Sequence, residues 1–195
     1  MSNNILVKDN FFDSIDELRE LALSFKYMYR KEIPWNVGWR GCRTGELSVF
    51  NNPVLEGCSS KVLETVSNFF NLTGQGAQTF FHITFEDDMK NQLNRWHRDP
   101  FTKYAGVLYL TPNPPSESGT TIFEKGKQVD VENKYNRLIA YDGTQKHGAT
   151  NFFGDNRSNG RMTFTFFIDR KRLIERQREK ENFQYEFYDD FESKF

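Results

Sequence analysis

The chain has 195 residues, enough for one domain with a substantial core and too few for a second large one. Lysine and arginine total 26 and aspartate and glutamate 27, so a formal net charge of -1 argues against a dedicated nucleic-acid or membrane-surface binder. There is no apolar run of about 18 residues and no secretory signal pattern. With two cysteines, a disulfide framework is excluded and a reducing, cytoplasmic setting is expected.

The N-terminal third predicts two helices separated by a loop. Residues 13–26 carry apolar side chains at three-to-four spacing behind residues that can cap a helix. Residues 60–72 repeat this pattern, with Phe69 and Phe70 among the residues predicted to face inward. Residues 34–45 are basic and rich in glycine, so we interpret them as a loop.

After Gly76 the apolar pattern changes from the helical period to alternation, which is typical of strands. Each segment is short and bounded by glycine, proline, asparagine or aspartate. The predicted strands cover residues 79–86, 104–111, 120–125, 137–141 and 161–169. Because no helix separates them, they favour an antiparallel sandwich or barrel.

The predicted organisation is a single domain, mainly β with supporting helices. Residues 1–76 give the helical support and a loop, residues 77–169 the β core, and residues 170–195 a C-terminal helix and tail. The helix of this last part, residues 170–181, is strongly charged and has little apolar surface. The tail after it alternates aromatic with acidic residues.

Two of the three histidines lie in segments that suit metal binding. His97 and Asp99 are two residues apart, and on an extended segment such residues point to the same side. His147 follows the strand predicted at 137–141, whose end an antiparallel barrel can bring beside His97. Two histidines and one carboxylate form the facial triad of non-haem Fe(II) oxygenases. Taken alone, each motif is more simply explained by a turn, so the assignment depends on the order of motifs.

The last predicted strand opens with Arg161, which shares one face with Thr163. A buried guanidinium binds a carboxylate bidentately, and a hydroxyl two residues along can add a hydrogen bond. The pair suits the far carboxylate of a five-carbon keto-diacid whose other end chelates a metal. In isolation, a solvated strand end or an ion pair is the simpler explanation of this arginine.

The ordered motifs of residues 80–169 resemble the Fe(II)/2-oxoglutarate-dependent dioxygenase superfamily, within its small prolyl-4-hydroxylase-like members. The motifs are His97-Arg98-Asp99, Val107 to Thr111, Ser118 to Phe123, Asn136 to Tyr141, His147 and Arg161-Met162-Thr163. The resemblance implies a double-stranded β-helix, or jelly roll, with N-terminal helices. It also implies Fe(II), 2-oxoglutarate as cosubstrate and O2, with ascorbate as a further candidate cofactor.

Carried over residue by residue, the resemblance also implies a metal site and a cosubstrate site. The implied iron ligands are His97, Asp99 and His147. The implied cosubstrate contacts are Arg161, on the C5 carboxylate, together with Tyr109, Thr121 and Thr163.

The sequence departs from the family pattern at several points. The turn before Thr121 reads Ser-Gly-Thr where the family has Gly-Gly-Glu, and arginine takes a place that many prolyl hydroxylases give to lysine. The spacing from His147 to Arg161 is longer than usual, so Arg157 is a rival. We favour Arg161 because a strand pattern follows it, whereas Arg157 lies in a loop.

Outside these motifs, His82 lies within a predicted strand and is interpreted as a structural residue rather than a ligand. The glycine-rich loop holds Trp39, Arg40 and Arg43. We expect this loop to cover the iron site and to recognise an anionic or aromatic substrate. A solvated loop anchored by one tryptophan is the simpler alternative.

The implied reaction is hydroxylation of a C–H bond in a prolyl-type peptidyl residue or a small metabolite, with release of succinate and CO2. One alternative is a hydrolase that holds Zn²⁺ with the same ligands, which leaves Arg161 and Tyr109 without a role. Another is a non-catalytic jelly-roll binding module with a degenerate site. We expect no nucleic-acid or membrane partner. The oligomeric state is open, with a homodimer as one candidate.

Overall fold

The computed structural model describes residues 4–33, 39–73, 76–89, 96–99 and 102–169. The helices are α1 (Ile15–Ser24) and α2 (Pro53–Phe70). The first five strands are β1 (Ile5–Lys8), β2 (Met28–Tyr29), β3 (Cys42–Arg43), β4 (Gly76–Thr84) and β5 (Tyr104–Tyr109). The others are β6 (Thr120–Glu124), β7 (Lys127–Val131), β8 (Leu138–Asp142), β9 (His147–Ala149) and β10 (Arg161–Asp169). The prediction of a mainly β fold with supporting helices is confirmed.

These strands form two antiparallel sheets that face each other. The larger sheet has the order β1-β8-β5-β10-β4-β3-β2, and the smaller has the order β7-β6-β9. His97 pairs with His147 through an isolated bridge, which places the segment 96–99 beside β9. A hydroxyl pair joins the sheets, since Tyr109 of β5 lies 2.8 Å from Thr120 of β6. This is the jelly-roll arrangement that the motifs imply.

The two faces of the larger sheet differ in chemistry. On β10, Phe164 and Phe166 point outward and pack in one fully buried cluster with Leu18 of α1 and Val62 of α2. Because side chains alternate along a strand, the intervening residues point between the sheets. The two sheets share a smaller apolar cluster there, whose buried members are Ala105, Val107, Tyr109, Ile122, Val131, Ile139 and Tyr141. The helices therefore support the fold from outside and leave the interior to the site.

Helix α2 begins earlier than the residues 60–72 predicted for it. Asn52 caps it by accepting hydrogen bonds from Val54 and Leu55, and proline at the first helical position suits a helix start. It ends at Phe70 because Asn71 adopts a left-handed conformation with φ of 53°. The prediction that Phe69 faces inward is wrong, since this ring is 40% exposed.

The loop predicted at residues 34–45 contains a short strand, so that prediction is partly wrong. Cys42 and Arg43 of β3 pair with Ile83 and His82 of β4. Gly41 permits this approach, because a Cβ there would lie 2.0 Å from the Ile83 carbonyl oxygen. Residues 34–38 and the predicted C-terminal helix and tail lie outside the described residues. Within the described part of the chain, no helix is long and apolar enough to cross a membrane.

The cap of α2 gives a stability prediction. Asn52→Ala removes the acceptor for two backbone N–H groups and should lower the free energy of unfolding by about 1 kcal/mol. Urea unfolding followed by circular dichroism measures this. The neighbouring Asn51 is exposed, so Asn51→Ala is the matched control and should change stability by less than about 0.5 kcal/mol. Equal losses in both variants would contradict the capping role.

Candidate metal centre

A reciprocal pair of backbone hydrogen bonds brings the two histidine segments together. The N–H of His97 donates to the carbonyl of His147 over 2.9 Å, and the N–H of His147 donates back over 2.8 Å. The N–H of Asp99 donates to the carbonyl of Gly143 over 2.8 Å. The alternation of side chains then puts His97 and Asp99 on the same side of their segment, facing His147.

The three side chains converge on one point. His147 Nε2 lies 3.2 Å from one Asp99 carboxylate oxygen, and His97 Nε2 lies 3.9 Å from the other. One ligand atom from each residue lies within 4.8 Å of the other two. Among the described residues, this is the one group of three or more histidine, cysteine, aspartate or glutamate side chains placed in this way.

The hydrogen bonding of His147 prepares it to bind a metal ion. Its Nδ1 lies 2.8 Å from the carbonyl oxygen of Gln145, which can only accept, so Nδ1 carries the proton. Nε2, which faces Asp99, therefore keeps its lone pair for a metal. His147 is 3% exposed whereas the His97 side chain is 52% exposed, so the centre is buried on one side and open on the other. Two imidazoles and a carboxylate fit Fe(II) or Zn²⁺.

Arg161 lies buried at the start of β10 and is held by the backbone of the turn just before β6. Its Nε donates to the Ser118 carbonyl over 2.8 Å, and its Nη2 donates to the Gly119 carbonyl over 3.0 Å. Burial lowers the pKa of Arg161, but a guanidinium still carries its charge at neutral pH. No acidic side chain among the described residues forms an ion pair with it, and its hydrogen bonds go to backbone carbonyl and hydroxyl oxygens. A buried cation of this kind suits an anionic ligand.

Tyr109 and Thr120 complete the surroundings of Arg161. The Tyr109 hydroxyl lies 2.8 Å from the Thr120 hydroxyl, which in turn accepts from Arg161 Nη2 over 3.2 Å. The guanidinium lies 5.3 Å from the centre of the Tyr109 ring. These contacts gather hydroxyl groups around the buried charge.

The sequence assigned Thr121 to this cluster, and the structure places Thr120 there instead. The Thr121 hydroxyl donates to Asp130 over 2.5 Å and lies 3.2 Å from the Thr150 hydroxyl. Successive residues of a strand point to opposite faces, so only one of two adjacent threonines can face Arg161. The threonine hydroxyl that contacts Arg161 is therefore that of Thr120 and not, as expected from the sequence, that of Thr121.

Thr163 shares the inner face of β10 with Arg161. Its hydroxyl donates to the His82 carbonyl over 3.3 Å and lies 3.0 Å from the Thr165 hydroxyl. In register, Thr163 lies between Tyr109 of β5 and His82 of β4. The predicted neighbours Tyr109, Arg161 and Thr163 are thus brought together.

His82 stands apart from the metal-binding group. Its Nε2 lies 2.6 Å from the Arg40 carbonyl, and the Trp39 ring meets its ring edge-on at 6.2 Å. Loss of water contacts lowers the pKa of His82 to about 3, and the positive charge of Arg43 adds to this effect. His82 is therefore neutral at physiological pH and ties the segment before β3 to the sheet.

Tyr141 is a site residue to which sequence reasoning gave no role. It is 5% exposed, and its ring lies 4.7 Å from the His147 ring. Burial raises the pKa of Tyr141, and the negative charge of Asp99 adds to this effect. Within the described part of the chain, its hydroxyl forms no hydrogen bond with another residue. The sequence does hold a signal for this role. Tyr141 lies on β8, where side chains alternate between the two faces, and it precedes His147 by six residues.

No family model matches the sequence, and no curated protein matches it either. The fold does match solved structures. A prolyl-4-hydroxylase from Pseudomonas putida is 16% identical with a TM-score of 0.62, over 86% of this chain and 93% of that one. HygX from Streptomyces hygroscopicus, solved with nickel, 2-oxoglutarate and hygromycin B bound, is 12% identical with a TM-score of 0.58, over 86% and 83%.

A third similar structure is a prolyl hydroxylase from Trichoplax adhaerens in complex with a peptide fragment of hypoxia inducible factor. It is 13% identical with a TM-score of 0.52, over 88% of this chain and 86% of that one. The resemblance drawn from the motifs is thus confirmed at the level of the fold. The chain has the double-stranded β-helix of the Fe(II)/2-oxoglutarate oxygenases.

The triad geometry gives a prediction for metal affinity. His97→Ala, Asp99→Ala and His147→Ala should each weaken Fe(II) binding by about 100-fold or more, because even residues that only orient ligands change affinity about 10–100-fold. Anaerobic equilibrium dialysis measures this, and circular dichroism checks the fold. The third histidine gives the control: His82→Gln can still donate to the Arg40 carbonyl and should keep wild-type affinity. If two of the triad variants bound Fe(II) normally, the assignment would be wrong.

Proposed function

We propose that this chain is an Fe(II)- and 2-oxoglutarate-dependent oxygenase that hydroxylates a C–H bond of a peptidyl residue or a small metabolite. The observation that carries the proposal is the pairing of two features in one jelly roll. The first is the group of His97, Asp99 and His147, in which the Nε2 of the buried His147 keeps a lone pair for a metal. The second is the buried Arg161, which has no acidic partner among the described residues. The first suits Fe(II), and the second suits the far carboxylate of the cosubstrate.

The chemistry of the interior supports 2-oxoglutarate as the molecule between these features. It has a carboxylate at each end and a keto group beside one of them, so it can chelate the metal and still reach a cation. Arg161 would bind the C5 carboxylate, with hydroxyl groups from Tyr109, Thr120 and Thr163 around it. The apolar side chains of the inner cluster would pack against the methylene groups.

The side chains of this chain would position the reactants and limit contact with water. When bound, Fe(II) supplies the chemistry by which 2-oxoglutarate and O2 give succinate, CO2 and an oxidant for a C–H bond. His147 and Tyr141 form the closed wall of the site, because both are almost fully buried. The His97 side is open, and a primary substrate would approach from there.

The proposal includes two classes of substrate because the similar structures hold both: one is in complex with a peptide, and another has hygromycin B bound. Both occupants are bound by proteins of this fold. For this chain, a peptidyl residue and a small metabolite are accordingly both retained. Ascorbate, a homodimer, a cytoplasmic location and the single-domain organisation stay predictions.

The test is metal-dependent turnover of the cosubstrate by the purified full chain. Succinate formation from 2-oxoglutarate should require both Fe(II) and O2, and Zn²⁺ should not support it. Reconstitution with Zn²⁺ that yields hydrolysis of ester substrates would favour the hydrolase alternative. Failure to bind any divalent metal would favour a non-catalytic binding module.

Arg161 gives a prediction for cosubstrate affinity. Arg161→Ala should raise the KM for 2-oxoglutarate about 30-fold or more and leave Fe(II) affinity unchanged, since losing a buried charge-assisted pair costs about 2–5 kcal/mol. The control is Arg157→Ala. Arg157 is exposed and donates to the Phe25 carbonyl on the helical side, so its loss should change the KM less than about twofold. The reverse ranking would identify Arg157 as the binding residue.

The two adjacent threonines of β6 give a second prediction. Thr120→Val removes a hydroxyl that touches Tyr109 and Arg161 at nearly constant volume, and it should raise the KM for 2-oxoglutarate about fivefold, from a loss of about 1 kcal/mol. Thr121→Val removes a hydroxyl that bonds Asp130 and should leave the KM unchanged. Steady-state succinate assays measure both. A larger effect at Thr121 would restore the assignment made from the family motif.

A further inference from the structure

The ring of Tyr141 lies between the two sheets and contacts the candidate metal centre. On β8, Leu138 and Ala140 belong to the outer cluster beneath the helices, so the alternation of side chains turns Tyr141 inward. It packs there in the apolar cluster that the two sheets share. His147 lies on β9 of the smaller sheet, and the centre of its ring is 4.7 Å from that of the Tyr141 ring. Tyr141 therefore borders a proposed metal ligand directly.

The hydroxyl of Tyr141 differs from those of the other buried tyrosines. Among the described residues, Tyr27, Tyr109 and Tyr141 are 7%, 0% and 5% exposed. Tyr27 donates to the Ala22 carbonyl over 3.0 Å, and the Tyr109 hydroxyl lies 2.8 Å from that of Thr120. The Tyr141 hydroxyl forms no hydrogen bond with another described residue. Burying a hydroxyl without a partner is unfavourable, and phenylalanine would fill the same space without this cost, so the hydroxyl indicates a polar ligand.

Asp99 supplies a second polar atom of this kind at the same centre. Its Oδ2 is buried, has no hydrogen-bond partner among the described residues, and lies 3.2 Å from His147 Nε2. Because the proton of His147 is on Nδ1, this oxygen faces a lone pair, and a cation between the two atoms would remove their repulsion. A metal ion would therefore satisfy Asp99. The O–H donor of Tyr141 needs an acceptor oxygen instead.

The inner face of the larger sheet holds Arg161 and Tyr141 at different positions along the strands. On β5, Tyr109 contacts Arg161, whereas Ala105 is in register with Tyr141. Tyr109 and Ala105 are four residues apart, which corresponds to about 13 Å along a strand. A ligand between the sheets would thus meet a guanidinium at one end, and a phenol beside the metal ligand His147 at the other.

We propose that Tyr141 donates a hydrogen bond to a carboxylate oxygen of the ligand that chelates the metal, and that this bond orients the ligand beside His147. The identity of the ligand rests on the proposed function. There it is 2-oxoglutarate, whose C5 carboxylate is assigned to Arg161 and whose C1 carboxylate is assigned here to Tyr141. The buried hydroxyl then has a negatively charged acceptor, which gives a stronger hydrogen bond than a neutral one.

Two chelating probes test this hydrogen bond at the metal end of the site. Oxalate has two adjacent carboxylates and lacks the distant carboxylate of 2-oxoglutarate, so it can chelate a metal without contacting Arg161. Calorimetry would measure both probes binding to the full chain loaded with Mn(II). Tyr141→Phe should weaken both about tenfold or more, as expected for the loss of a hydrogen bond to a charged group, and should leave Mn(II) affinity within about twofold of wild type. Arg161→Ala should weaken 2-oxoglutarate and spare oxalate.

Urea unfolding of the metal-free chain separates a ligand-binding hydroxyl from a structural one. Tyr141→Phe removes a hydroxyl that has no hydrogen-bond partner among the described residues, so the unfolding midpoint should equal or exceed that of wild type. Tyr27→Phe is the matched control, because it removes a buried hydroxyl that donates to the Ala22 carbonyl on the helical side. It should lower the midpoint and leave oxalate affinity within about twofold of wild type.

Unchanged affinity of Tyr141→Phe for both probes would overturn the inference. A lowered midpoint together with equal losses of Mn(II) and oxalate affinity would also overturn it, because the tyrosine would then be structural. So would a loss for 2-oxoglutarate alone, or a Mn(II)-loaded wild type that does not bind oxalate. The proposed function fails separately: a wild type that binds oxalate but not 2-oxoglutarate contradicts it, and the oxalate affinity of Tyr141→Phe still tests the hydrogen bond.

Discussion

The reciprocal hydrogen bonds between His97 and His147 are the contact on which the candidate site depends. They join a short segment to β9 across 50 positions of the chain, and they fix the distance between two imidazoles through the backbone rather than through side chains. The hydrogen bond from Asp99 to Gly143 continues this pairing. Because these contacts are made by the backbone, they hold the three ligand atoms close to one another, which is the preorganisation that a binding site needs.

The second constraint is the division of the larger sheet into an outer face packed under the helices and an inner face that carries a smaller apolar cluster beside polar residues. The outer residues of β10 bury themselves against the helices, and this contact holds the strand in place. The inner residues are then free to be polar: Arg161 and Thr163 point between the sheets, where apolar packing alone would favour aliphatic side chains. Gly119 is needed at the turn that holds Arg161, because a Cβ there would lie 1.8 Å from the Val131 carbonyl oxygen. The residues that hold the strand in place and the candidate binding residues thus lie on opposite faces of one strand.

The main strands of the β core were predictable from the sequence, and several short strands were not. The predicted bounds of β10 agree with Arg161–Asp169, since nine residues give a clear alternation. The strands β1, β7 and β9 were missed, because their sequences ILVK, KQVDV and HGA show no clear alternation. The strands β6 and β8 are also short, but turn residues bound them and the motifs of the resemblance cover them. The early start of α2 was missed because Gly57 and nearby serines interrupt its apolar pattern, and the Asn52 cap decides the start instead.

The sequence by itself determined the mainly β class, the order of the motifs and the choice of His97, Asp99, His147 and Arg161 as candidate site residues, because residue chemistry and spacing are local properties. Only the tertiary structure decided which side chains meet. It brought Thr120 rather than Thr121 to Arg161, set Tyr141 against His147, and laid Arg43 on Phe80. The physical reason is that strand register is set by pairing between distant segments, and a shift of one residue reverses the face to which every side chain points.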